Sequence, residues 1–121
     1  MNKQTVVVVK NENTYNGIDK IQIMQKELSK YRALINQNMI ILKSEFEVEK
    51  LAIFGSVSRG ESTAKSDIDI LVEFKKPISL FKFVELENHL SNILGKKVDL
   101  STKRALKQAV KKTVLKEAVY A

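Results

Sequence analysis

The chain has 121 residues, 44% hydrophobic and 29% charged, the make-up of one soluble globular domain rather than a two-domain enzyme. It contains no cysteine, which excludes a disulfide framework, thiolate zinc sites and cysteine-nucleophile chemistry. The 21 basic and 14 acidic side chains leave a net charge of +7, and residues 96–121 hold +6 of it through Lys96, Lys97, Lys103, Arg104, Lys107, Lys111, Lys112 and Lys116, set against Asp99 and Glu117. Such a cluster attracts a nucleoside triphosphate, a nucleic acid or an acidic partner surface, although a solvated helix face has the same composition.

In chain order, residues 5–9 form a β-branched run that reads as a short strand or arm, followed by a polar loop through Asn11, Asn13, Asn16 and Gly17. The four-valine run Val6 to Val9 meets Lys10, too short for a signal-peptide core. No segment approaches the roughly 20 apolar residues that span a bilayer, so a cytoplasmic protein without membrane contact is expected. From Asp19, a candidate N-cap, Ile21, Met24, Leu28, Tyr31, Leu34, Ile35 and Leu42 recur at helical spacing and predict one long helix over 19–44. A strand over 48–54 follows and stops at Gly55, with room for one helical turn after it. Residues 67–74 alternate, Ile68, Ile70 and Val72 on one face and Asp67, Asp69 and Glu73 on the other, which predicts a strand. Ser79 caps a helix that Gly95 closes, with Leu80, Phe83, Val84, Leu86, Leu90, Ile93 and Leu94 on its apolar side. A short strand over 97–101 carries Asp99. A last helix over 103–119 buries Leu106, Ala109, Val110, Thr113, Val114 and Ala118. The expected fold class is α/β (α+β), a small mixed β-sheet flanked by helices.

The chemistry gathers in residues 51–74. Two positions apart on one strand, Asp67 and Asp69 project from the same face about 6 to 7 Å apart. Unit charges at that distance repel by roughly 3 kcal/mol at an effective dielectric of 20, and strands disfavour aspartate. A hard divalent cation bound through carboxylate oxygens would compensate, while an acidic strand edge in solvent is the plain alternative. Gly55 and Ser56 stand where a strand turns into a helix, so backbone N–H groups and the serine hydroxyl can converge on an anion. An ordinary strand-to-helix turn uses the same residues.

The stretch from Leu51 to Phe74, with Gly-Ser, ten intervening residues and Asp-x-Asp in order, resembles the signature of the polymerase β-like nucleotidyltransferases. Phe54-Gly-Ser-Val-Ser-Arg-Gly60, Ser66-Asp-Ile-Asp69 and Gly95-Lys-Lys-Val-Asp-Leu100 resemble the minimal nucleotidyltransferase (MNT) branch, over about residues 48–120. The resemblance implies the nucleotidyltransferase fold over residues 31–121, with 1–30 as an extension. It implies that Asp67, Asp69 and Asp99 are catalytic and hold two Mg²⁺ ions. It also implies that Gly55 and Ser56 bind the β and γ phosphates of ATP. Arg59 either reaches a phosphate or pairs with Glu61 or Glu73. His89 reads as a packing or surface residue.

Proteins of the MNT kind are partnered with HEPN-family toxins, so the resemblance implies an antitoxin that moves AMP onto a toxin tyrosine, with homo- or hetero-oligomers in view. No Arg-x4-6-His motif surrounds His89, so the chain is not itself the HEPN partner. Two rivals remain: an antitoxin that works by binding alone, and a nucleic-acid-binding module built on the basic C-terminal helix.

Overall fold

The computed structural model describes residues 17–63, 65–106 and 108–121, and within these leaves the side chains of 17–20 and 108–112 undescribed. The arm expected over 5–9 and the loop after it therefore lie outside the described residues, as do Lys107 and the side chains of Ala109, Val110, Lys111 and Lys112. The elements run α1 (Gly17–Gln37), α2 (Met39–Phe46), β1 (Val48–Phe54), α3 (Ser56–Arg59), β2 (Ile68–Phe74), α4 (Leu80–Leu94), β3 (Val98–Thr102), α5 (Gln108–Glu117) and β4 (Val119–Tyr120). The strands form one mixed sheet in the order β3-β2-β1-β4. β1 runs antiparallel to both β2 and β4, and β2 runs parallel to β3 across the α4 crossover. None of the described helices is long and apolar enough to cross a membrane.

Helical periodicity is broken once where the sequence predicts continuity. Asn38 separates α1 from α2: its N–H donates to the Ile35 carbonyl at 3.0 Å and its side-chain amide to the Leu34 carbonyl at 2.8 Å. An asparagine that bonds its own backbone competes with the helical ladder. Asp19 lies inside α1 and so does not cap it. Leu28, Tyr31, Ile35 and Leu42 are buried as their spacing predicts, but Ile21 is exposed.

These helices cover one face of the sheet, where Leu51, Ile53, Ile68, Ile70 and Val72 meet Leu86, Leu90 and Leu94 of α4 in a single core. Ser79 caps α4 by accepting from the Lys82 N–H at 3.1 Å, and Gly95 ends it at φ +69°. Leu80 and Val84 fall outside the core, contrary to expectation, while Phe83 between them packs against it. The C-terminal helix is shorter than predicted. Residues 103–106 form turns, α5 ends at Glu117, and Val119 and Tyr120 pair with Ile53 and Ala52 as an edge strand. Thr113 is exposed, while Val114 is buried as predicted.

Candidate active site

β1 delivers the chain to Gly55, whose φ of +75° and ψ of −145° suit glycine alone. A Cβ on Gly55 would sit 3.1 Å from Cγ and 3.3 Å from Cβ of Asp69, with a carboxylate oxygen closer still. Glycine therefore lets the turn lie directly against the Asp69 carboxylate. Ser56 opens the single turn of α3, held by the Arg59 N–H and the Ser58 hydroxyl, which both donate to the Gly55 carbonyl at 3.1 and 3.0 Å. Fully buried Val57 pins the turn to the core, and Gly60 closes it at φ +72°.

The connection from α3 to β2 is tied at several points. The Thr63 N–H donates to the Ser66 hydroxyl at 2.9 Å, the Ser66 N–H to the Thr63 carbonyl at 3.1 Å, and Lys96 to that same carbonyl at 2.8 Å. From α1, Glu27 accepts a 2.5 Å hydrogen bond from the Ser62 hydroxyl. The sequence signalled nothing of this strap, since Glu27 and Ser62 lie on elements 35 residues apart.

Register then sets the carboxylates. Asp69 stands opposite Phe54 on β1 and opposite Asp99 on β3, with adjacent strands about 4.8 Å apart. Asp67 precedes β2, where the Ile68 N–H donates to the Lys97 carbonyl at 2.9 Å. Burial raises the Asp69 carboxyl above its ordinary range, the Asp99 and Asp67 charges raise it further, and Arg59 partly offsets them. Asp99 is exposed, and Asp67 lies 3.8 Å from the ammonium of Lys97.

Arg59 donates to Glu61 and to Glu117 of α5, both at 3.0 Å. The Glu61 pairing was legible in the sequence; the Glu117 pairing, 58 residues away, was not. Glu73, the other expected partner, is instead engaged by Tyr120 and Lys103. His89 packs its ring 5.3 Å from that of Phe46, as a packing residue should.

Among the described residues, no three acidic or histidine side chains converge as they stand on one point that could hold a metal ion. Backbone register brings Asp69 beside Asp99, with Asp67 two positions upstream. Burial and the neighbouring carboxylates raise the Asp69 pKa together, and a divalent cation would relieve the second of these. Were the three carboxylates to turn towards one point, they would offer hard oxygen donors of the kind that suits Mg²⁺.

A family model described as nucleotidyltransferase domain matches residues 39–121. Protein adenylyltransferase MntA of Thermococcus cleftensis is 43% identical over 93 residues, covering 77% of this chain and 94% of that one. A solved structure provisionally described as a minimal nucleotidyltransferase aligns with a TM-score of 0.62 at 29% identity, covering 79% of this chain and 93% of that one. The crystal structure of a toxin-antitoxin with AMP-PNP aligns at 0.58 and 26% identity over 69% of each chain. Because the family model spans residues 39–121, more than half of the chain, the chain belongs to the nucleotidyltransferase domain family, in its minimal form.

Proposed function

We propose that this chain is a Mg²⁺-dependent protein adenylyltransferase that moves AMP from ATP to a tyrosine hydroxyl of a HEPN-type toxin and so acts as its antitoxin. In this reading residues 31–121 are the transferase domain, and 1–30 an extension whose Leu28 joins the same core. The observation that carries it is the register that sets Asp69 beside Asp99 while the Gly55 backbone lies against the Asp69 carboxylate. The names of the relatives, an adenylyltransferase and a toxin-antitoxin with AMP-PNP, support the nucleotide and the partner.

Asp67, Asp69 and Asp99 would hold the metal, which when bound lowers the pKa of an attacking hydroxyl and stabilises the pyrophosphate leaving group. Gly55 and Ser56 receive the β and γ phosphates, and Arg59 reaches a phosphate by exchanging one of its carboxylate partners, Glu61 or Glu117, for it. Exposed Asp99 faces the acceptor and takes the proton of its hydroxyl. The acceptor oxygen bonds to the α-phosphorus, the bond from that phosphorus to the bridging oxygen breaks, and pyrophosphate carries away the electron pair.

The test is incubation of the chain with labelled ATP, Mg²⁺ and the product of the neighbouring gene, which this reading expects to be a HEPN-family protein. Wild type should label that protein, and Asp67→Ala should slow labelling by about a thousandfold, the worth of several kcal/mol of transition-state stabilisation. No labelling by wild type, or equal labelling by the variant, removes the chemistry. Full protection from the toxin by an Asp67→Ala, Asp69→Ala double variant would point to an antitoxin that works by binding alone.

A further inference from the structure

At the far end of β2 from the carboxylates, a groove of about 720 Å³ opens between the ends of β2 and β3 and the start of α4. Its floor is apolar: Phe74 and Phe83 meet edge to face with ring centres 6.3 Å apart, and Pro77 and Leu80 extend it. Its rim is basic, formed by Lys75, Lys76, Lys103 and Arg104. Glu73, the one acidic residue lining it among the described residues, is already occupied on both oxygens, by Lys103 at 3.4 Å and the Tyr120 hydroxyl at 3.0 Å. Lys76 reaches Glu47 only at 3.9 Å and stays 68% exposed, so the rim keeps a surplus of positive charge.

At Leu80 the groove continues onto the start of α4, where Leu80, Phe81 and Val84 are 78%, 80% and 46% exposed. Three large apolar side chains side by side in water are an interaction surface rather than a random scatter. Aliphatic groups such as Leu80, Val84 and Pro77 offer nothing to a phosphate backbone, whereas a polypeptide bearing both acidic and apolar side chains uses the rim and the patch together. Glu73 at the groove and Asp69 at the site lie on one face of β2, four residues or about 13 Å apart.

We propose that this basic-rimmed groove and the adjoining turn of α4 seat the acceptor protein through an acidic segment with an apolar anchor. This rests on the transfer reading above. A segment so held needs only a few extended residues to bring its hydroxyl to Asp69 and Asp99.

The experiment measures binding of the protein encoded beside this chain's gene to the immobilised full-length chain, without ATP or Mg²⁺, for wild type, Leu80→Asp and Arg104→Glu. Both positions are exposed, and an aspartate in the first turn of a helix is well tolerated, so unchanged thermal midpoints are expected. Each substitution should weaken binding at least tenfold, and added salt should weaken wild type more than Arg104→Glu. Leu80→Gln, which removes the apolar anchor without adding charge, should also lose affinity. Variant affinities within twofold of wild type, or no wild-type binding, overturn the seat. So does binding of a 20-nucleotide single-stranded DNA that Arg104→Glu abolishes while protein binding persists, since the rim would then serve nucleic acid. Docking that responds to the variants without label transfer removes the chemistry and leaves the surface. Label transfer with docking indifferent to the variants does the reverse.

Discussion

The two faces of the sheet obey opposite rules, and β2 serves both. On one face Ile68, Ile70 and Val72 are at most 1% exposed and pack with Leu51, Ile53 and the α4 leucines. Each such side chain contributes about 1.5–3 kcal/mol by leaving water. On the other, buried Leu71 and Ala52 share the surface with Asp69, Glu73 and Asp99, and Asp69 is held in charged company that raises its pKa. The lesson is a division of labour: one face supplies the rigidity that keeps mutually repelling carboxylates in register on the other.

That division can be broken from either side. The largest effect on stability should come from Ile70→Ala, which empties a fully buried site and should cost about 2–5 kcal/mol in urea denaturation; a loss under 1 kcal/mol would mean the core face does not hold the strand. Gly55→Ala attacks the seam between the faces. A methyl group there meets the Asp69 carboxyl in a backbone conformation that L-residues rarely adopt, so roughly 1–3 kcal/mol should be lost, together with nucleotide binding followed by calorimetry.

Asp69→Asn should have the smallest and opposite effect on stability. Removing the repelled charge should raise stability slightly in the absence of divalent ions, and on the transfer reading it should also abolish labelling of the acceptor. The folded pKa of Asp69 lies above its unfolded value. The folded state therefore binds the proton more readily, and the electrostatic cost is complete above the folded pKa and relieved as pH falls through it. The stability gap between Asp69→Asn and wild type should thus be widest near neutral pH and close on acidification. Mg²⁺ should close it too, by raising the melting temperature of wild type alone. A gap indifferent to both pH and Mg²⁺ would show that Asp69 is not under charge strain.

Much of this arrangement is written locally and was legible for that reason. The alternation of residues 67–74, the Gly55 stop and the Ser79 and Gly95 caps each report on a few neighbouring residues, and the strands and α4 fall where those signals predict. Carboxylate identity and spacing at Asp67 and Asp69 likewise mark the candidate site in the sequence, and the register adds Asp99 beside Asp69. What could not be read depends on residues far apart in sequence. β4 is two residues long and exists because Ile53 and Ala52 offer an edge, so helical propensity overran it. The Glu117 partner of Arg59 and the Glu27 strap are tertiary contacts with no spacing rule. Leu80 and Val84 continue the apolar stripe of α4, yet periodicity cannot tell that nothing in the fold covers them among the described residues.

The strap from α1 bears on what counts as the minimal unit. The family match begins at residue 39, but Tyr31 and Ile35 wall the core and Glu27 grips Ser62 from before that point. A version trimmed to the recognisable stretch would keep all three carboxylates and the Thr63–Ser66 and Lys96–Thr63 ties, yet leave a greasy flank bare and the Ser62 hydroxyl without its α1 partner. The shortest piece that can be recognised thus leaves out side chains that the core uses.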